Sequence, residues 1–240
     1  MKVAILVDGA FYSKRANHLF GEKSPEQRAD ELEIYCKLHL YDKHEKKELY
    51  RIFYYDCPPM ERVVFHPFTK KHVNFSKSDL YKWMNTFLKK LKSKRKFALR
   101  LGKVSESTAH YNLKPEVAKA LFTGKKTLEE ITEKDFKLFV NQKGVDMRIG
   151  VDIASIAFKH QVEQIILIAG DSDFVPAAKL ARREGIDFIL DPMGNDIKED
   201  LFEHIDGIRS KHKAYLKKYP KTEKIIEEEI SPVQISFSTI

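Results

Sequence analysis

The hydrophobic positions of the chain fall into several short runs, and these runs predict buried strands. Residues 2–7 and 164–169 are almost continuously aliphatic, which is the pattern of strands covered on both faces of a parallel sheet. Residues 49–56, 97–104 and 186–190 carry similar runs. Asp and Gly residues typical of turns follow the first two runs directly, so those strands are expected to end there.

Helical periodicity alternates with these runs. The clearest helix is predicted over residues 76–92, capped by Ser76 or Ser78, with lysines between its apolar positions. This spacing indicates a helix that packs on a core rather than an aromatic surface that binds nucleic acid. The apolar positions are Leu80, Trp83, Met84, Phe87, Leu88 and Leu91. Further helices are predicted between the first strand and residue 43, and over residues 116–122, 145–160 and 174–184.

Alternating strands and helices predict an α/β fold, with a mainly parallel central sheet flanked by helices and right-handed crossovers. The pattern loosens over residues 105–133, and a strand at 136–141 is expected to return and pair with the strand at 97–104. We therefore predict one domain over residues 1–210 with an insertion near 105–141. Residues 211–240 are predicted to form a C-terminal extension, with a β-prone stretch at 233–240.

Composition narrows the class of protein. The chain has 240 residues, of which 42% are hydrophobic, a balance typical of a globular protein. No apolar run approaches the ~20 residues that cross a bilayer, and Asp8 comes too early for a signal peptide, so we expect a cytoplasmic protein. Cys36 and Cys57 lack the spacing of a zinc site. The 43 Lys and Arg against 35 Asp and Glu favour a polyanionic partner.

Five aspartates are predicted to share one crevice. Asp8 follows the first strand, and Asp171 and Asp173 follow the strand at 164–169, while Asp146 and Asp152 lie on the preceding helix. Ligands of open α/β sheets bind at the carboxyl ends of the strands, where the strand order reverses. Neighbouring carboxylates repel one another unless a cation neutralises them. Oxygen ligands of this kind suit Mg²⁺ or Mn²⁺, so we predict a metal site.

Other interpretations of these aspartates stay open. Asp146, Asp171, Ser172 or Asp173 would each serve as a helix cap, although capping does not explain Asp152 among apolar neighbours. Residues 171–175 loosely resemble the nucleophile loop of haloacid-dehalogenase-type phosphatases. That family carries the loop on its first strand, whereas here the loop comes late in the chain. A metal-dependent phosphatase for small substrates and a module that binds without cleaving remain alternatives.

Four segments together resemble the NYN domain, in particular its LabA-like branch, which is related to the PIN and FLAP nucleases. They are Val7-Asp8-Gly9-Ala10-Phe11, Lys143-Gly144-Val145-Asp146, Val151-Asp152 and Gly170-Asp171-Ser172-Asp173-Phe174-Val175-Pro176. The resemblance covers roughly residues 1–192 and is strongest from Lys143. Many NYN domains have Asn shortly after the first Asp, whereas this chain has Gly9-Ala10-Phe11-Tyr12.

The resemblance implies a Rossmann-like, PIN-type fold and a ribonuclease that hydrolyses phosphodiester bonds by metal-activated water. It implies that Asp8, Asp146, Asp171 and Asp173 bind Mg²⁺ or Mn²⁺, and that these four and Asp152 form the catalytic set. RNA is favoured over DNA as the partner. Some relatives are regulators, so a catalytically inactive module that binds nucleic acid or protein is the second hypothesis.

Four residues near the acids are candidates for contacting nucleic acid: Lys14, Arg15, Arg148 and Ser172. Arg148 would alternatively pair with Asp152 four residues along the helix, and Ser172 would alternatively cap the following helix. The sequence leaves open a homo-oligomer and a protein partner bound through the inserted segment. We expect no association with a membrane.

Overall fold

The computed structural model describes residues 1–41 and 47–220, so the predicted tail strand at 233–240 lies outside the described residues. The described chain forms two compact units. The larger contains Met1–Cys57, Trp83–Gly102 and the described part of Gly144–Lys224, and the smaller contains Pro58–Lys82 and Lys103–Lys143. Within the described residues, no helix is both long and apolar enough to span a membrane.

The described residues form ten strands. They are β1 (Lys2–Asp8), β2 (Glu48–Asp56), β3 (Val63–His66), β4 (Lys71–Asn74), β5 (Phe97–Leu101), β6 (Lys103–Leu113), β7 (Phe136–Lys143), β8 (Gln164–Ile168), β9 (Asp187–Asp191) and β10 (Gly207–Ile208). The same residues form eight α-helices. They are α1 (Gly9–Phe20), α2 (Pro25–Leu38), α3 (Asp79–Ser93), α4 (Pro115–Phe122), α5 (Val145–Phe158), α6 (Val175–Arg183), α7 (Glu199–Phe202) and α8 (His212–Lys218).

The larger unit contains a parallel sheet of six strands in the order β10-β9-β8-β1-β2-β5. The predicted α/β fold with a mainly parallel sheet is therefore confirmed. β1 lies in the middle, and its residues Val3 to Val7 are completely buried. The chain adds β2 and β5 on one side of β1, and β8, β9 and β10 on the other. The strand order thus reverses between β1 and β8, where ligands of such sheets bind.

Two hydrophobic cores lie on the two faces of this sheet. Because strand side chains alternate between faces, Val3, Ile5 and Val7 enter one core while Ala4 and Leu6 enter the other. The first core is completed by side chains of α1, α2, α3 and α8. The second is completed by side chains of α5 and α6. Helices on both faces explain why the strands carry continuous apolar runs.

The helices agree with the periodicity of the sequence, with two differences. The stretch predicted as helical up to residue 43 is two helices, because the chain leaves α1 at Gly21 with a φ of 79° and Ser24 caps α2. Ser78 caps α3 as predicted, accepting a hydrogen bond from the Tyr81 amide at 3.1 Å. Leu80, however, is 45% exposed, so its assignment to the buried stripe was wrong.

The smaller unit consists of two antiparallel pairs of strands, β3 with β4 and β6 with β7, together with α4. Its core is formed by Met60, Val64, Phe75, Ala109, Leu138 and Val140. The predicted pairing of the strand at 136–141 with the strand at 97–104 was wrong. β7 pairs instead with β6. Most of β6 was predicted to be irregular because its sequence lacks the apolar pattern of a strand, and most of its residues are partly or fully exposed. β5 pairs instead with β2.

Candidate functional site

The loops that follow β1 and β8 are in contact. Phe11, in the first turn of α1, packs its ring against Gly170, so closely that a Cβ on Gly170 would lie 2.5 Å from the Phe11 Cε2 atom. Gly9 is similarly constrained, since a Cβ there would lie 2.6 Å from the carbonyl oxygen of Tyr55. A side chain at Gly9 would displace the start of α1 from β2, and one at Gly170 would displace the Phe11 ring. Gly170 therefore lets the segment that carries Asp171 approach the first turn of α1, which follows Asp8.

Replacing Gly170 by Ala is expected to lower stability by about 1–3 kcal/mol, because the new methyl group overlaps the Phe11 ring. The double variant with Phe11→Ala removes the obstacle and is expected to lose less than the sum of the single changes. Chemical denaturation of the four proteins measures this coupling. Gly150→Ala is the matched control, since nothing lies within 4 Å of its Cβ position. Strictly additive losses would contradict the predicted contact.

Asp8 is the last residue of β1 and the N-cap of α1. Its Oδ1 accepts a hydrogen bond from the Phe11 amide at 3.1 Å. Burial raises the pKa of this carboxyl to about 7, with repulsion from Asp146 and Asp56 adding to the rise. Asp8 therefore caps α1, a role that was not predicted from the sequence, and is also repelled by neighbouring acids. Asp8 is poised to change charge near neutral pH.

Asp56 is a crevice acid that the sequence reasoning missed. It ends β2, beside β1, and accepts hydrogen bonds from the Tyr54 hydroxyl at 2.9 Å and the Cys57 amide at 2.7 Å. Burial raises its pKa to about 6. The rule that placed Asp8 and Asp171 at strand ends also applies to Asp56, so the signal was present in the sequence.

Asp146 lies in the first turn of α5, after Gly144, which adopts a φ of 79°. Burial raises the pKa of Asp146, and repulsion from Asp171 and Asp173 raises it further. Repulsion from Asp146 also raises the pKa of Asp8. Asp146 therefore interacts both with the acids after β8 and with the acid at the end of β1. The structure therefore brings four of the predicted aspartates into one electrostatic group.

Asp171 and Asp173 lie in the loop after β8, and both are exposed. Asp171 caps a short 3-10 turn at Ser172–Phe174 by accepting a hydrogen bond from the Asp173 amide at 3.3 Å. The predicted cap is thus Asp171 and not Ser172. The Ser172 hydroxyl instead accepts a hydrogen bond from the Lys198 amine at 3.2 Å. Lys198 is a second residue that the sequence reasoning missed, because it lies 26 positions away.

Asp152 is held by partners on the sheet. Its Oδ2 accepts hydrogen bonds from the Tyr55 hydroxyl at 2.8 Å and from Arg100 Nε at 2.9 Å. The alternative pairing of Asp152 with Arg148 was wrong, since Arg148 Nε donates to the carbonyl oxygen of Leu101 at 3.0 Å. A spacing of four residues on the helix did not determine the partner of Asp152. Arg100, on β5, donates the hydrogen bond to its carboxylate instead.

The remaining basic candidates lie on α1. Arg15 donates a hydrogen bond to the carbonyl oxygen of Met193 at 2.9 Å and so ties α1 to the chain after β9. Lys14 is exposed. Lys198, which donates to Ser172, is the basic side chain that lies next to the acids after β8.

The crevice acids match the chemistry of a hard divalent cation. Asp8 and Asp146 are carboxylates whose charges repel, so a cation between them removes an unfavourable interaction. Among the described residues, no group of three or more His, Cys, Asp or Glu side chains is already placed to hold a metal ion. Carboxylate oxygens are ligands that suit Mg²⁺, which takes one or two carboxylates directly and keeps several waters.

Asp191, at the end of β9, has a different environment. It is completely buried, and its carboxylate accepts hydrogen bonds from the Tyr35 hydroxyl (2.6 Å), His39 Nε2 (2.9 Å), the Ser210 hydroxyl (2.8 Å) and the Met193 amide (2.7 Å). Burial alone would raise its pKa, but the hydrogen bonds from His39 and Tyr35 outweigh burial, and the pKa is lowered. Asp191 therefore connects β9 to α2 and the chain before α8 as a stable anion.

Comparison with known proteins identifies a family. The family model described as NYN domain matches residues 73–201, which is more than half of the chain. The matched segment contains Asp146, Asp152, Asp171 and Asp173, and Asp8 precedes it. None of the curated proteins matches the chain. A solved structure of a protein of unknown function from Vibrio parahaemolyticus RIMD 2210633 is 14% identical, with a TM-score of 0.44, covering 87% of this chain and 91% of that chain.

Proposed function

The chain belongs to the NYN domain family, whose PIN-like members are generally nucleases, and on this premise we propose that it is a Mg²⁺- or Mn²⁺-dependent endoribonuclease. The observation that carries the proposal is the electrostatic group formed by Asp8, Asp146, Asp171 and Asp173 where the strand order reverses. Domains of this superfamily usually use divalent metals, which agrees with these ligands.

Asp8, Asp146 and Asp171 would hold the cation, and Asp173 would complete its surroundings. The bound ion would neutralise the acids and polarise a phosphoryl oxygen of the substrate. In the metal-free protein the pKa of the Asp8 carboxyl is raised to about 7, so binding of the cation near neutral pH would displace a proton from Asp8. Asp152, held by Tyr55 and Arg100, is assigned the role of fixing α5 and thereby the position of Asp146.

The substrate class is proposed to be RNA. A formal charge of +8 favours a polyanion, and NYN nuclease domains imply binding of nucleic acid. Lys14 and Lys198 are proposed to contact the phosphate backbone of RNA, since both are exposed and Lys198 lies next to Ser172. The GDSDFVP string at Gly170–Pro176 supports assignment to the LabA-like branch. We further propose that the NYN domain spans residues 1–210 and that 211–240 form an extension.

The proposal is tested by adding Mn²⁺ or Mg²⁺ to the metal-free protein while following cleavage of labelled single-stranded RNA and thermal stability. Asp171→Asn is expected to lower cleavage at least about 100-fold, since changing groups that only orient metal ligands already costs about 10- to 100-fold. Asp79→Asn, which changes an exposed acid on α3, is the matched control. Equal metal-dependent cleavage by Asp171→Asn and wild type would contradict the proposal.

A module that binds nucleic acid without cleaving it is the second candidate. It is favoured by one observation, namely that the described acids are not already grouped as a metal site. Stabilisation by Mn²⁺ and binding of RNA without any cleavage would select this function. Turnover of a small phosphomonoester, with no dependence of affinity on the length of a polymer, would select a phosphatase.

A further inference from the structure

The segment from Arg62 to Lys77 in the smaller unit is strongly basic. It contains Arg62, Lys70, Lys71 and Lys77, together with two histidines, and it contains neither Asp nor Glu. The described residues of the smaller unit have 13 Lys and Arg against 8 Asp and Glu, so this unit carries five of the eight net positive charges. A polyanion is the partner that this charge favours.

The hairpin formed by β3 and β4 lies within this segment and has two different faces. Val64 and His66 point into the core of the smaller unit and are buried. Phe65 points the other way and is 49% exposed, directly opposite His72 on β4. The centres of these two rings are 5.4 Å apart. Phe68, in the turn of the hairpin, is 44% exposed.

We propose that the outer face of this hairpin binds single-stranded nucleic acid. Phe65 and His72 offer exposed ring surfaces on which unpaired bases stack, and the exposed Lys70, in the turn two residues before His72, contacts a phosphate. A duplex does not suit this face, because its bases are already stacked on one another. The choice of nucleic acid as the ligand rests on the proposed function. The hairpin is then the surface that holds the substrate, separate in sequence from the acids.

The test measures binding of a labelled 20-nucleotide single-stranded RNA to the full chain in EDTA, with single-stranded DNA of the same sequence as a second probe. Phe65→Ala is expected to weaken binding about tenfold, whereas Phe65→Trp keeps it because the ring surface is retained. Lys70→Ala is expected to reduce the slope of log K against log salt by about 0.7. Lys89→Ala, at an exposed position of α3, is the charge-matched control.

Hairpin variants that bind RNA and DNA as tightly as wild type would overturn the proposal. Equal losses of RNA affinity in the hairpin and α3 variants would overturn it too. Loss of self-association in Phe65→Ala with unchanged RNA affinity would overturn it as well, since the face would then contact a second copy of this chain. Failure of the proposed function and failure of this inference would give different results. A protein that binds RNA through the hairpin but never cleaves it supports this inference alone, and a nuclease indifferent to hairpin changes supports the proposed function alone.

Discussion

Replacing Asp8 by Asn is expected to make the metal-free protein more stable at pH 8 and to remove its response to Mg²⁺ or Mn²⁺. At that pH, wild type keeps a charged carboxylate in a buried setting and near Asp146 and Asp56. Asn has no charge, and its side-chain oxygen still accepts the capping hydrogen bond from Phe11. A pKa raised from 3.8 to about 7 corresponds to a gain of at most about 4 kcal/mol.

The gain is expected to depend on pH. Below about pH 3.8 Asp8 is protonated in both the folded and the unfolded chain, so its charge costs nothing. Between about pH 3.8 and pH 7 the folded state holds the proton that the unfolded state releases, and wild type loses stability as pH rises. Urea unfolding in EDTA should therefore give an advantage of Asp8→Asn that grows from pH 4 to pH 7 and then stays constant. The control Asp79→Asn should show no such advantage, and a less stable Asp8→Asn at pH 8 would refute the assignment.

Replacing Asp191 by Ala is expected to destabilise the protein by about 3–5 kcal/mol at pH 7.5, because several hydrogen-bond donors lose their acceptor, at about 1–3 kcal/mol for each donor left unsatisfied. Tyr35 and His39, which are completely buried, and the partly buried Ser210 would each lose their acceptor. Burial lowers the pKa of His39 despite the attraction of Asp191, so the ring is neutral at this pH.

Chemical denaturation measures the effect of Asp191→Ala directly. Asp196→Ala is the matched control, because it changes an exposed acid five residues further along the same segment. The control is expected to alter stability by less than about 0.5 kcal/mol. A loss of less than about 1 kcal/mol in Asp191→Ala would show that the network does not hold β9 in place.

The sheet and the convergence of the acids were predictable from the sequence, and the partners of each acid were not. Continuous apolar runs predicted β1 and β8 because both faces of the sheet are covered, and turn residues marked where those strands end. Asp8, Asp56 and Asp191 all end parallel strands. Burial raises the pKa of Asp8 and Asp56, whereas hydrogen bonds from His39 and Tyr35 lower the pKa of Asp191. These partners come from distant parts of the chain, so local spacing carries no signal for them.

The same reason explains the errors in the smaller unit and on α5. Most residues of β6 are partly or fully exposed, so its sequence lacks the apolar pattern of a strand and it was mistaken for an irregular segment. Its pairing with β7 joins segments that local patterns treat separately. Arg148 was expected to pair with Asp152 from helical spacing alone, whereas Arg100 reaches Asp152 from the sheet. Strands that are buried on both faces of a sheet can be predicted from their apolar sequence. Hairpins and ion pairs are harder to predict because they depend on tertiary neighbours.

The order of the strands also determines when the sheet is completed during protein synthesis. β1 is made first, but its neighbour β8 begins 156 positions after the last residue of β1. At about 5–20 residues per second, a ribosome needs roughly 8–30 s to cover that distance. During this interval β1 has an open edge towards β8, and its residues Val3 to Val7 are all apolar. The central strand is therefore a segment of the nascent chain that needs protection from aggregation before synthesis reaches Ile168.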